Sequence, residues 1–170
     1  GNQGTVVGNL AKIVDGGISS ITVTGIQYNE VSSLAKFQDD GLTLSVQNGE
    51  TVDFSLDSGL AAKLAAIAVA SGGSLTVSAT QATTQTITGD GTITISGVTG
   101  STDLSSLASS LTSTGKLWND ADISGNSNIG NLDNIAIDNN ANVTMSIAQH
   151  AKVNAATGSN TVTISDAGTL

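Results

Sequence analysis

Three stretches decide how this chain folds: NLAKIVDGGISSITVTGIQ at residues 9–27, KLAAIAVASGGSLTVSATQ at 63–81 and NLDNIAIDNNANVTMSIAQ at 131–149. They align without a gap. Leu10, Leu64 and Leu132 coincide, as do Ile13, Ile67 and Ile135. Each copy then runs through aliphatic, Thr, aliphatic and hydroxyl residues: Ile21–Thr24, Leu75–Ser78 and Val143–Ser146. Each closes on a glutamine, Gln27, Gln81 or Gln149. Internal repetition points to stacked units rather than one globule. The alternation within each run has the period of a β-strand.

Outward from these runs, a second alternating segment follows each one. Ile21 is succeeded by Leu42, Leu75 by Ile93 and Val143 by Val162, at spacings of 21, 18 and 19 residues. Turn signals such as Asp39-Asp40-Gly41, Asn48-Gly49, Asp90-Gly91 and Gly158-Ser159-Asn160 separate them, since glycine and Asx residues accept tight backbone. The pattern predicts an all-β fold, a parallel β-solenoid (β-helix or β-roll-like) of stacked coils of about 18–21 residues with irregular loops. Alternate aliphatics would fill a narrow interior shared by the three copies, with Thr and Ser facing out. The recurring glutamines have two readings: amides that pair along the coil axis, or surface polar residues that end each strand. Residues 59–70 (GLAAKLAAIAVA) contain good helix formers, yet the aligned GNLAKIVDG and GNLDNIAIDN carry Asn, Asp and Gly. Extended or irregular backbone is therefore expected there, allowing one helical turn.

One repeat-built domain over 1–170 accounts for the whole chain, with copies starting near 9, 63 and 131. An extra 14 residues lie between the second and third copies, within Val98–Asn128. The chain opens without Met or a signal peptide and stops inside a repeat, so it reads as a fragment of a longer protein.

Composition excludes several classes. Aromatics make up 2% of the chain and charged residues 11%, too few aromatics for a thick core and too many β-branched residues for disorder. Proline, which cannot donate to a strand ladder, is absent. Five lysines, no arginine and fourteen acids give a net charge of −9. That disfavours nucleic acid and anionic membrane, and no apolar run reaches the length of a membrane span. With no cysteine there is no disulfide framework.

Candidate chemistry is sparse. Asx residues crowd the stretch from Asn119 to Asn140, and Asp120, Asp122, Asn126, Asn128, Asp133 and Asp138 are the expected ligands if calcium binds, because Ca²⁺ takes six to eight oxygens. Turn chemistry explains the same residues without metal. His150 is the only histidine, and nothing marks one serine among many as a nucleophile. Lyase chemistry on anionic sugars needs basic residues at the site, and five scattered lysines with no arginine argue against it. Thr-x-Thr and Thr-x-Ser pairs at 22/24, 76/78, 92/94 and 161/163 could order water as on ice-binding surfaces, or reflect the strand propensity of Thr. Tyr28 and Trp118 are the candidate contact aromatics; Phe37 and Phe54 are expected in the core. No enzyme is expected.

The aliphatic-Thr-aliphatic-Ser-x-x-Gln pattern, then a Gly-rich turn, then Thr-aliphatic-Thr-aliphatic-Ser resembles repeats of long secreted surface proteins of Gram-negative bacteria. LTVSATQATTQTITGDGTITISGVTG (75–100) and VTMSIAQHAKVNAATGSNTVTISDAG (143–168) carry the likeness. Such proteins include RTX-type adhesins and surface-layer proteins exported by type I secretion. The resemblance implies a secreted, cell-surface location, calcium nearby and a structural or adhesive role. Its partners would be neighbouring copies in a surface assembly, or a host or surface glycan. The GGxGxDxUx nonapeptide of RTX calcium rolls is missing from this chain. The alternative function is a carbohydrate-, receptor- or ice-binding solenoid module.

Overall fold

All strand pairing between the described residues is parallel. The computed structural model describes residues 21–24, 42–56, 64–138 and 140–166. Among them β1 (Ile21–Thr24), β2 (Leu42–Val46), β4 (Leu64–Val69) and β6 (Ile87–Gly89) form a four-stranded sheet. A central six-stranded sheet has the order β12 (Val153–Ala156), β10 (Asn134–Ile137), β8 (Thr112–Leu117), β7 (Thr92–Ser96), β5 (Ser74–Ser78), β3 (Thr51–Asp53). A three-stranded sheet joins β13 (Thr161–Ile164), β11 (Asn142–Met145) and β9 (Ala121–Asp122).

The spacing argument identified the right partners. Ile21 pairs with Leu42, Leu75 with Ile93, and Val143 with Val162. Each successive pass of the chain thus lays a strand beside the equivalent strand of the pass before. Alternation then sorts the side chains. Leu75, Val77, Ile93 and Ile95 are fully buried, while Ser74, Thr76, Thr92 and Thr94 face the other way. Leu44 stacks beside Ile67 and Ile67 in turn beside Ile87, and Val143 beside Val162. Each fully buried Leu or Ile contributes about 1.5–3 kcal/mol by leaving water, so thin passes with few aromatics still accumulate a continuous core. Among the described residues its one large aromatic is Phe54, 2% exposed.

The three copies do not lie directly over one another, which corrects the expectation of a single shared strand register. Ile21 sits in the four-stranded sheet, Leu75 in the central sheet and Val143 in the three-stranded one. Up to β7, a pass runs from the four-stranded sheet into the central one. From β8 onward it runs from the central sheet into the three-stranded one. The changeover falls in the insertion, where Val98–Leu111 forms no strand. Leu104, Leu107 and Leu111 bury themselves there and continue the core.

Two inward positions of β8, Ser113 and Gly115, carry no hydrophobic side chain. Gly115 leaves room that Leu132 fills; a Cβ there would lie 2.5 Å from its Cδ1. Gly89 has φ +118, and a Cβ would come within 2.0 Å of the Val69 carbonyl oxygen. Only glycine permits that approach. The stretch 64–69 is strand, as the aligned copies implied; 59–63, Gln27, Tyr28, Phe37 and Asn139 lie outside the described residues.

Candidate functional site

Polar side chains concentrate at the corners, where a strand ends and the chain turns. The second and third copies both carry Ser-x-x-Gln at this point. Ser78 caps the short helix α1 (Ala79–Thr84) and Ser146 caps α2 (Ile147–His150), each in a reciprocal capping box. The serine hydroxyl accepts from the glutamine N–H, and the glutamine Oε1 accepts from the serine N–H at 2.8 Å in both. This satisfies two otherwise orphaned donors at each helix start. The strand alternation hid both helices, yet the capping motif was present as a signal.

The glutamine amide does a second job. Gln81 Nε2 donates to the Phe54 carbonyl at 2.8 Å. Gln149 Nε2 donates to the Ile123 and Asn126 carbonyls at 2.7 and 3.1 Å. Each thus ties its corner to a segment 23–27 residues earlier. Of the two readings of these glutamines, the solvent-facing one does not describe Gln81, which is 6% exposed and bonded across passes.

The six Asx residues proposed as calcium ligands are held at separate places. Asp120 Oδ1 accepts from Asn142 N at 2.7 Å and from its Nδ2 at 3.1 Å. Asp122 accepts from Ser124, N and Oγ, across an exposed turn. Asn126 caps the 3-10 turn Ser127–Ile129 by accepting from Asn128 N, and its amide donates to the Thr99 and Thr102 carbonyls. Asn128 offers its backbone carbonyl to Leu104 N. Asp133 Oδ2 accepts from the buried Ser113, N and Oγ, at 2.8 and 2.9 Å, and Asp133 N donates back to that Oγ. Asp138 pairs with Lys116 at 3.0 Å, both about a third exposed. Among the described residues no three His, Cys, Asp or Glu side chains converge as a metal site.

Three carboxylates are shifted. Hydrogen bonds from Ser105 hold Asp103 below the ordinary aspartate value. The Asn142 N–H, then its amide, does so for Asp120. The Ser124 hydroxyl, then its N–H, does so for Asp122. Each is the ordinary consequence of donors that favour the charged form.

A groove of about 320 Å³ opens between the Ser124–Gly130 turn and α2, with Ile129 and Ile135 in its wall. Its two longest polar side chains are already engaged: Lys152 Nζ donates to the Gly130 and Leu132 carbonyls at 2.6 and 2.7 Å, and Gln149 is committed as above. His150 is exposed on the last turn of α2, and its imidazole makes no hydrogen bond among the described residues. No described helix is long and apolar enough to cross a membrane. The chain matches no protein family, no curated protein and no solved structure.

Proposed function

We propose that this chain is a structural, non-catalytic segment of an extracellular bacterial surface protein, built as a parallel β-solenoid. Its work is to hold distance and stiffness between whatever lies on either side. One observation carries the reading: the polar side chains at the corners are spent on tying one pass to another. Gln81, Gln149, Asn126, Asn131, Asp133 and Lys152 all reach across 20–27 residues of chain to a backbone group or a serine. Catalytic sites keep such groups free and perturbed; a stack that resists extension uses them as cross-links in parallel with its strand ladders.

Secretion and surface display rest on the resemblance of 75–100 and 143–168 to repeats of long secreted surface proteins. An antibody raised against this segment should label intact, unpermeabilised cells of the source bacterium. Labelling only after lysis overturns the surface placement. Pulling the segment end to end in a force spectrometer tests the mechanical role: stepwise release of passes at well-separated high forces supports a spacer, and extension without resistance refutes it. A metal belongs to this reading only if millimolar calcium raises the melting temperature by several degrees, as ligand binding to the folded state requires.

A further inference from the structure

The central sheet turns an ordered hydroxyl face outward. Its register runs without a shift from β3 through β10. One rank holds Thr51, Ser74, Thr92 and Thr112; the next holds Asp53, Thr76, Thr94, Thr114 and Asn134. Strand geometry sets about 4.8 Å between neighbours in a rank and roughly 6.6 Å between ranks. The hydroxyls of Ser74, Thr76, Thr92, Thr94, Thr112 and Thr114 bond to no other described residue. By contrast the four-stranded sheet breaks its outward ranks at Ala66 and Ala68.

Trp118 stands at the rim of this face. It follows β8 directly and continues the outward series Thr112, Thr114, Lys116. Its indole packs on Gly97, the residue after Ser96; a Cβ there would lie 3.2–3.3 Å from the ring. The indole is thus seated on backbone, yet the residue remains 45% exposed. A large aromatic fixed in place and left in water is a contact surface in waiting.

We infer that this face, with Trp118 at its rim, binds a neutral polysaccharide. Sugar hydroxyls both donate and accept, as Thr and Ser do, and a pyranose ring offers an apolar face to an indole. The ligand is uncharged because the chain is strongly acidic and the cation on the face, Lys116, is already paired with Asp138. An ordered water layer would use the hydroxyl ranks but would have no need of the tryptophan. Such a surface works equally on a spacer or on a free-standing module.

Trp118 is the only tryptophan, so its emission reports this site. The purified chain is titrated with dextran, mannan and galactomannan, and with polygalacturonate as the anionic comparison. A saturable emission change with at least one neutral polymer, and none with polygalacturonate, is expected. On that polymer immobilised, Trp118→Ala and Thr114→Arg each weaken capture roughly tenfold or more. Thr163→Arg, on the three-stranded sheet, leaves it unchanged. Circular dichroism checks each fold; if Trp118→Ala does not fold, Trp118→Phe and Thr114→Arg decide. No emission change with any of the three neutral polymers overturns the inference, as does capture indifferent to Thr114→Arg. Ice-crystal shaping lost in Thr94→Arg but kept in Trp118→Ala would also overturn it, in favour of ordered water.

Discussion

The corners of this protein and the outward face of its central sheet are made from the same few polar residues, and the fold uses them oppositely. At the corners Ser78, Gln81, Asn126 and Gln149 satisfy backbone groups that would otherwise be buried without partners. On the face Thr76, Thr94 and Thr114 leave their hydroxyls to solvent. The difference is one of backbone demand. Strand interiors satisfy their own N–H and C=O groups in the ladder, whereas turning segments cannot. Polar side chains at corners are therefore structural, whereas the outward threonines of the central sheet are not needed by the backbone.

Substitutions can break or sharpen this contrast. The largest effect should come from Gln81→Ala, which removes the side-chain acceptor of the Ser78 N–H and a donor to the Phe54 carbonyl together. A loss on the order of 2–4 kcal/mol is expected in urea unfolding. Gln149→Ala should follow it closely, because it makes the equivalent bonds around a less buried side chain. Asp133→Ala removes the carboxylate that accepts from the N–H of fully buried Ser113 and leaves its hydroxyl only the longer bond to the Asn131 carbonyl, for about 1–3 kcal/mol. If either glutamine variant costs nothing, the corners are not cross-links.

Acid should act on the corners more weakly and in a set direction. The folded values of Asp103, Asp120 and Asp122 lie below the ordinary 3.8. Their contribution is complete above the unfolded value and is lost as pH falls through the lowered one. Unfolding midpoints measured from pH 6 to pH 2 should drop below about pH 4, and Asp120→Asn should flatten part of that drop. The smallest effect belongs to the face: Thr94→Ala should change stability by less than about 0.5 kcal/mol. A larger loss would mean that the hydroxyl ranks are structural after all.

Much of the architecture was legible because strand alternation is a local signal. The partners Leu75 and Ile93, or Val143 and Val162, follow from spacing and a period of two. The capping boxes were written in Ser78-x-x-Gln81 and Ser146-x-x-Gln149, but a period-two reading passes over a helix of one turn. Ser113 illustrates the limit: its place in an alternating run predicts nothing about a carboxylate 20 residues later that lets it stay buried. The Asx residues are ambiguous for a related reason. Asp and Asn suit metal, turns and backbone donors alike, and only coordinates show which partner is within reach.

What the chain determined by itself is therefore the parallel pairing and the inward set of aliphatics, because both depend on nearest-neighbour periodicity. Only the tertiary structure decided which sheet each copy joins. That choice depends on how Leu104, Leu107 and Leu111 fill the insertion and on Leu132 occupying the space above Gly115. Packing between residues distant in sequence settles it, and no local pattern encodes that.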